Sequence, residues 1–476
     1  MNTPQHPYDY DLGDERLNRR AALIVQAALD HPGASIPQAA GSHAAADGTY
    51  AFFDNPRVKE ADLHASLVDV TSERLAASSG PILVPQDTTE LDFTTPLRLR
   101  HLGQLAHAKH CGLFVHSALA LTDQGIPVGL LHQHVWERDP AQRGKRKQRR
   151  HTETADKESQ RWLDTEKAVV AALPADRAVV ILADREADFY DYFAQPRRPQ
   201  QHVIIRAKGR RRIAEADHLL DRALRNSPVQ GTITVNVPRG DDKPARPATL
   251  AVHFGCYSLC PPSTHPRRKL LALLPLHAVL VEEIDAPAGS KPLCWLLLTT
   301  LPVTCLEDAV QVVRWYCWRW RIERFHYTLK SGCQVEELGL ETAARLRRAL
   351  PLYCAVACQL LYLVYRARQE PEASSGEVLS VDEWQVLWRK FRPGEPLPAQ
   401  PPTLRQVVRW IAQLGGFLGR KGDGEPGVKV LWRGLRTLRE MVAGYRLASA
   451  GGVAGAGPPG TGLLTWHLHV RDAPKR

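Results

Sequence analysis

The sequence lacks the features that mark a disulfide-stabilised or membrane-spanning protein. Its nine cysteines are scattered without the regular spacing of a disulfide framework, which is typical of a protein that folds in a reducing compartment. A membrane-spanning helix needs about 20 apolar residues, but Pro275 interrupts the apolar run 270–281 and Pro351 the run 349–364. The N-terminal residues MNTPQHPYDYD are polar and acidic, so we expect no signal peptide. We therefore predict a soluble, cytoplasmic protein with no membrane contact.

The sequence also lacks the spacing of a zinc site. Four potential ligands lie close together, namely His253, Cys256, Cys260 and His265. Neither C-x2-C nor H-x3–5-H spacing occurs among them, and the surrounding VHFGCYSLC alternates as a strand does. We interpret this segment as a strand and not as a metal site.

What the sequence has in excess is positive charge. Lysine and arginine number 62 against 51 aspartates and glutamates, a net charge of +11 over 476 residues, and the pI is about 9.3. Two basic runs, 143–150 (RGKRKQRR) and 209–212 (GRRR), concentrate this charge. Such an excess favours a polyanionic partner, although each run alone is also typical of a solvated loop.

The hydrophobic pattern divides the chain into helical ends around a strand-rich centre. Residues 13–67 have helical periodicity, and Asp14 is placed to cap the first helix. A hairpin is predicted over 113–135, and a helix over 306–332 follows the last strand. The predicted units are residues 1–70 (helical), 71–368 (an α/β core with a β-rich insertion at about 209–302), 369–447 (helical) and 448–476 (a flexible, glycine-rich tail).

The stretch 316–330 (YCWRWRIERFHYTLK) gathers chemically distinct side chains on one predicted helix face. Tyr316, Arg319, Glu323 and Lys330 follow one another at spacings of three, four and seven. On a helix that turns about 100° per residue they fall within an arc of roughly 60°, with Trp320 at its edge. One carboxylate beside two cations and a phenol fits a metal-ligating acid next to phosphate-binding side chains. The simpler alternative is an amphipathic helix in which the glutamate pairs with the arginine.

Two aspartates complete the candidate site. Asp87 follows a short predicted strand at 82–84, and Asp184 follows another at 178–182. Strand ends in open α/β sheets are common places for chemistry, and carboxylate oxygens are the ligands that Mg²⁺ and Mn²⁺ prefer. Each aspartate alone is also typical of a turn or a helix N-cap. Asp188 fits such a capping position best, so we assign the second acid to Asp184.

These motifs together resemble a known family. Tyr316, Arg319, Glu323 and Lys330 match the signature Y-x2-R-x3-E-x6-K with every spacing intact, alongside QDTT at 86–89 and DREAD at 184–188. The sequence is thereby similar to the IS4 family of DDE transposases, and within it to the Tn5 (IS50) type. The similarity extends to GDERLNRR and GTYAFFDNP near the N-terminus, DKESQRWL at 156–163, and EWQVLW and LGGFLGRK near the C-terminus.

The resemblance implies a ribonuclease-H-like catalytic core, with the β-rich insertion before the last acid and helical domains at both ends. Asp87, Asp184 and Glu323 would be the catalytic residues and would hold two magnesium ions, which manganese can replace. The implied reaction nicks transposon ends with water, forms and opens a DNA hairpin, and joins the ends to target DNA. The implied partners are double-stranded DNA and a second copy of the chain, so that a homodimer joined through its C-terminal helices holds two ends. In a bacterial cell such a protein would associate with the nucleoid.

The resemblance also implies DNA contacts around the acids. Trp295 would stack on a base extruded from the bent strand; considered without the family, it would be interpreted as a strand residue packed in the core of the insertion. Arg206 matches the family's arginine after the strand that follows the second acid. The side chains that would hold the flipped nucleotide and its phosphates are Tyr316, Arg319, Trp320 and Lys330.

Two alternative functions remain open at this point. One is a metal-dependent nuclease on the same fold without strand transfer, against which Trp295 and the intact Tyr–Arg–Glu–Lys face argue. The other is an inactive DNA-binding relic that occupies transposon ends, against which the presence of all three acids argues. Paired inverted terminal repeats in the flanking DNA would favour an active transposase over a relic.

Overall fold

The computed structural model describes residues 8–94, 102–107, 109–138, 153–237, 246–287, 289–420 and 422–451. The basic run 143–150, and the tail beyond residue 451, lie outside the described residues.

The chain begins with four helices. Asp14 caps the first of them by accepting a hydrogen bond from the backbone N–H of Arg16 (3.0 Å), as its position predicted. The segment that follows is divided into two helices, because Gly41 adopts a left-handed conformation (φ 70°) that ends the first of them. The helices are α1 (Glu15–Asp30), α2 (Ile36–Ala40), α3 (His43–Asp54) and α4 (Glu60–Ala76).

A nine-stranded mixed sheet forms the centre of the molecule. Its strands run in the spatial order β3-β2-β1-β4-β5-β9-β8-β7-β6. β1, β2 and β3 pair antiparallel, whereas β1, β4 and β5 pair parallel. In chain order the elements are β1 (Ile82–Asp92), β2 (Gly112–Leu121), β3 (Pro127–Trp136), α5 (Gln160–Ala171), β4 (Val179–Ala183), α6 (Tyr190–Ala194), β5 (Gln201–Arg206), α7 (Leu220–Asn226), β6 (Gly231–Val237), β7 (Arg246–Leu259), β8 (Leu274–Glu283) and β9 (Cys294–Thr299).

The β-rich insertion continues this sheet and does not form a second one. Its last strand, β9, pairs antiparallel with the core strand β5, and β8, β7 and β6 follow outward in turn. The insertion therefore has a fixed position relative to the core strands.

Helices cover both faces of the sheet. Leu83 of β1 belongs to the apolar cluster that contains the last helices, whereas Ile82 and Val84 pack in a second cluster with Trp162 of α5. This alternation follows from the two-residue repeat of a strand. The helices after the sheet are α8 (Leu306–Trp318), α9 (Trp320–Tyr327), α10 (Ala343–Gln369), α11 (Val381–Phe391), α12 (Leu404–Leu414) and α13 (Val428–Gly451).

The long apolar helix α10 packs at the centre of the molecule. It contacts β3, α1, α3, α4, α12 and α13. By length and composition it could cross a membrane, but 78% of its apolar window is buried inside the protein, as in the core helix of a soluble protein. Its sequence is therefore explained by packing, as predicted for the run 349–364.

Candidate active site

Asp87 lies in the middle of a strand and not at the end of a short one. The predicted strand 82–84 was too short, because β1 continues to Asp92 through its pairing with β2. Its parallel pairing with β4 ends at Pro85. Asp87 comes just beyond that point, and Asp184 directly follows the last residue of β4. The two aspartates therefore share the carboxyl edge of β4, where Asp87 faces α9 and pairs with Arg319 at the start of that helix.

Backbone amides orient both aspartates. The N–H of Thr88 donates to Oδ1 of Asp87 at 2.8 Å. The N–H of Glu186 donates to Oδ1 of Asp184, also at 2.8 Å, because Asp184 caps the short 3-10 turn Arg185–Ala187. Each carboxylate keeps its second oxygen for another partner.

Glu323 reaches the same place from the helical side. The predicted helix 306–332 is nearly continuous, since Arg319 joins α8 to α9 with helical φ and ψ of −51° and −35°. The chain widens into a π-helical turn at Thr328–Gly332. The predicted alignment is thus kept from Tyr316 to Glu323 and altered at Lys330.

Arg319 lies between two of the acids. Its Nη2 donates to Oε1 of Glu323 at 2.6 Å, and its Nη1 donates to Oδ2 of Asp87 at 3.4 Å. The side chain is only 8% exposed. The simple pairing of Arg319 with Glu323 is therefore present, but the same guanidinium also serves Asp87, so the pair belongs to a larger site.

The acids concentrate negative charge. Burial raises the pKa of the Asp87 carboxyl to about 6, Arg319 opposes the rise, and the charges of Asp184 and Glu323 add to it. A carboxyl whose pKa is shifted by burial and by neighbouring acids is a candidate for a functional site. Additional positive charge nearby would stabilise the ionised form of Asp87.

The donor set fits a divalent cation. Within the described ranges, no three acidic, histidine or cysteine side chains are already grouped as a metal site, and the guanidinium of Arg319 occupies the space between Asp87 and Glu323. The three carboxylates nevertheless supply only hard oxygen ligands, which suits magnesium or manganese. Asp184 and Glu323 lie close enough to Asp87 for their charges to contribute to the raised pKa of its carboxyl, and a cation held among the three would offset that repulsion.

Aromatic and basic side chains surround the acids. The half-buried ring of Trp295 on β9 packs edge-on against Tyr316, with ring centroids 6.1 Å apart. Arg319 lies over the ring of Tyr316 and over that of Trp320, which is 58% exposed. Burial raises the pKa of Tyr316, and Arg319 and Arg206 oppose the rise. The structure therefore brings these predicted DNA-binding residues together.

Arg206 and Lys330 contact different strands. Arg206 ends β5, and its Nη2 donates to the carbonyl oxygen of Cys294, beside Trp295. Lys330 points along β1, where its Nζ donates to the carbonyl oxygen of Glu90 (2.8 Å) and pairs with Glu336 (3.2 Å). Lys330 therefore contacts Glu90 and Glu336, and none of the three candidate acids.

Asp188 is buried and paired, as is typical of a residue that stabilises the fold. It is 2% exposed, pairs with the guanidinium of Arg211, and accepts a hydrogen bond from the backbone N–H of Lys208 (2.6 Å). These contacts anchor the segment after β5, which contains the basic run 209–212.

Arg161 was not identified from the sequence, but it contacts Thr88 and Glu186, the residues that donate backbone hydrogen bonds to Asp87 and Asp184. Its only signal was its place in the DKESQRWL motif.

Known protein families match three parts of the chain. The transposase DNA-binding family matches residues 7–58, the transposase DDE domain family matches residues 141–358, and the Tn5 transposase dimerisation domain family matches residues 355–455. The DDE match includes Asp184 and Glu323 but begins after Asp87, which the structure places beside them. The DDE match also identifies the strand order β3-β2-β1-β4-β5 as a ribonuclease-H-like core. The chain therefore belongs to the Tn5-like, IS4-family DDE transposases, metal-dependent enzymes that bind DNA, cut it and transfer strands.

Proposed function

We propose that this transposase moves DNA by a cut-and-paste route through hairpin intermediates. In this proposal it hydrolyses transposon ends, forms and resolves a hairpin at each end, and joins the ends to target DNA. The observation that supports it most is the convergence of three acids from separate elements: Asp87 and Glu323 share the buried Arg319, and the charge of Asp184 acts on Asp87. Three acids beside phosphate-binding cations are what phosphodiester chemistry with two metal ions requires.

Asp87, Asp184 and Glu323 would hold two Mg²⁺ ions, which Mn²⁺ can replace. Divalent cations held there would activate a nucleophile and stabilise the leaving oxygen in each phosphodiester exchange. Arg319 donates a hydrogen bond to each of Glu323 and Asp87 and so orients both carboxylates. Nε of Arg319 and Nε of Arg206 have no hydrogen-bond partner among the described residues, and a DNA phosphate oxygen would satisfy them.

Four exchanges at phosphorus would follow one another at this site. Water first attacks a phosphodiester at the transposon end, and the transposon 3′-hydroxyl leaves. That hydroxyl then attacks the opposite strand, which forms the hairpin and releases the flanking DNA with its own 3′-hydroxyl. A second water opens the hairpin and regenerates the transposon 3′-hydroxyl, which finally attacks a target phosphodiester and displaces a target 3′-oxygen. Each step forms one P–O bond and breaks one.

The hairpin step needs an extruded base. We assign its stacking to Trp295, which is half buried and packs beside Tyr316. Trp320, whose ring is exposed next to Arg319, would contact the same strand, and Lys330 would contact its phosphates. Stacking of a base on an aromatic ring contributes about 1–3 kcal/mol, enough to favour the sharply bent strand.

Recognition and pairing of ends would use the helical regions. We propose that residues 1–70 bind the terminal repeats, that 71–368 form the catalytic core, and that 369–447 join two chains so that each holds one end. The protein would act in the bacterial cytoplasm, on the nucleoid.

Cleavage of end-labelled DNA that spans the element's own termini tests this function. Wild type, Glu323→Gln and the control Glu307→Gln, an exposed acid on α8, are compared in Mg²⁺ on a denaturing gel. We expect nicks and hairpins from wild type and Glu307→Gln only. Binding without cleavage, the same in all three proteins, would instead identify an inactive DNA-binding relic.

A further inference from the structure

The backbone amides that orient Asp87 and Asp184 belong to two residues with one shared partner. Thr88 supplies the N–H to Asp87, and Glu186 supplies the N–H to Asp184. Side chains of both residues contact Arg161 of α5. Its Nε donates to Oγ1 of Thr88 at 3.2 Å, and its Nη2 donates to Oε2 of Glu186 at 2.6 Å. One guanidinium therefore links the two segments that carry the first two acids.

Arg161 makes these contacts from the far face of the sheet. Successive side chains of a strand point to opposite faces, so Thr88 faces α5 while Asp87 faces α9. The hydroxyl of Thr88 also forms a hydrogen bond with Nδ1 of the fully buried His116 on β2 (2.9 Å). The guanidinium is thus held against a rigid part of the core, at a position that DNA bound at the acids would not occupy.

Arg161 is not arranged as a phosphate-binding cation. Each of its three guanidinium nitrogens has a protein partner, since Nη1 donates to the carbonyl oxygen of Glu158 at 2.7 Å. Its side chain is 12% exposed and lies near the rings of Trp136 and Trp162. A side chain with these contacts is fixed in place and has little surface left for a ligand.

We propose that Arg161 is a positioning residue that sets the distance between the carboxylates of Asp87 and Asp184. This inference rests on the proposed function, in which those carboxylates hold divalent cations. A metal site tolerates little change in ligand spacing, and loss of a group that orients ligands typically weakens metal binding 10- to 100-fold. Only a planar, forked side chain reaches Thr88, Glu186 and Glu158 at once.

The substitution Arg161→Lys tests whether the forked shape of the guanidinium is needed, because it keeps the positive charge. A lysine carries its three donors on a single nitrogen, so it cannot reproduce the bonds that the separate Nε, Nη1 and Nη2 of Arg161 make to Thr88, Glu158 and Glu186. Glu186→Gln removes only the charge of one partner, and Glu186 is 60% exposed, so that variant should fold normally. Arg138→Ala is the matched control: this arginine pairs with Glu158 and lies over Phe114 on the same side of the sheet, without a hydrogen bond to Thr88 or Glu186.

The full-length chain is titrated with Mn²⁺, and free ion is measured by electron paramagnetic resonance. We expect Arg161→Lys to weaken Mn²⁺ binding about 10-fold or more, Glu186→Gln to weaken it less, and Arg138→Ala to match wild type. In cleavage assays the Arg161→Lys variant should need more Mg²⁺ for half-maximal rate, and high Mg²⁺ should restore much of that rate. It should not restore the rate of Asp184→Asn.

The outcomes separate this inference from the proposed function. Loss of Mn²⁺ binding in Asp184→Asn together with wild-type binding in Arg161→Lys would overturn the role of Arg161 alone. Wild-type binding in Asp87→Asn and Asp184→Asn would overturn the proposed metal site itself. If Arg161→Lys melts well below wild type, the Mn²⁺ titration of Glu186→Gln is used in its place. Unchanged Mn²⁺ binding in that folded variant would overturn the inference.

Discussion

Arg439 of α13 forms an ion pair with Asp30 of α1, with Nε and Oδ1 3.1 Å apart. The same guanidinium pairs with Glu383 of α11 at 2.7 Å, and Glu383 is 3% exposed. The first and last helices of the described chain are therefore joined through one arginine and two acids.

Replacement of Arg439 should destabilise the protein. Arg439→Met leaves Asp30 and the buried Glu383 without their cation, and removing one partner of a buried pair costs about 3–5 kcal/mol. Because Asp30 is partly exposed, we expect a loss of about 2–4 kcal/mol in the free energy of unfolding, measured by urea titration. Arg446→Met on the same helix breaks only the exposed pair with Asp382 and should cost less than about 1 kcal/mol. Equal losses would argue against a special role for the buried network.

Asp184 and Asp188 should separate catalysis from stability. Asp184→Asn removes the charge of a half-buried proposed metal ligand and should abolish cleavage with little change in melting temperature. Asp188→Asn weakens the buried pairing with Arg211 and should lower stability by about 1–3 kcal/mol, while folded protein still cleaves DNA. Cleavage on end-labelled DNA and thermal melts are measured for both. Complete loss of cleavage in a folded Asp188→Asn protein would show that the second acid was assigned to the wrong residue.

Trp295→Ala should affect hairpin formation more than the first nick. In the proposed mechanism only the second step needs the extruded base, and loss of its stacking partner would remove about 1–3 kcal/mol, which corresponds to roughly 5- to 150-fold in the rate of that step. Nicks and hairpins are quantified from one time course on a denaturing gel. Trp295→Phe keeps an aromatic face and serves as the control. A similar slowing of both steps would indicate that the ring acts only by packing against Tyr316.

His64 should make the protein less stable in mild acid. Burial lowers the pKa of this imidazole on α4 to about 4, and the nearby ring of His132 adds to the shift. The imidazole binds a proton near pH 6.5 in the unfolded chain and near pH 4 in the folded chain. The free energy of unfolding is therefore unaffected by this group above pH 6.5 and decreases as the pH falls from 6.5 to 4. One histidine with this shift accounts for about 3 kcal/mol.

The test compares urea unfolding of wild type and His64→Gln from pH 7.5 to pH 4. The variant should lose stability less steeply over that interval, whereas the control His43→Gln, at an exposed site, should follow wild type. Parallel curves for wild type and His64→Gln would mean that other groups govern the acid response.

Local patterns predicted much of this fold. The hairpin of β2 and β3 and the strand β4 lie within one or two residues of their predicted positions, since apolar runs and a turn at Gly125 mark them. The length of β1 was not predictable in this way. Pro85 and the polar residues after it are typical of a turn, but pairing with β2 overrides that local preference.

The proximity of the three acids was predictable from their motifs, whereas the contacts that hold them in place were not. Asp87, Asp184 and Glu323 stand in short motifs with recognisable spacing, and the structure brings them together. Arg161 bonds to Thr88, 73 positions away, and to Glu186, 25 positions away. No local period links residues across such distances, because their proximity arises from the sheet and from the packing of α5 on it.

The sheet that joins core and insertion has a mechanical consequence. Hydrogen bonds run without interruption from β3 to β6, so the insertion is not a hinged flap that closes over bound DNA. The distance between Trp295 and the acids is instead fixed by the pairing of the strands, in which Trp295 of β9 lies opposite Val281 of β8. A slip of one residue between β8 and β9 would turn the indole to the other face of the sheet. Accuracy of the hairpin step would then depend on the rigidity of this sheet, and the DNA, not the protein, would have to bend.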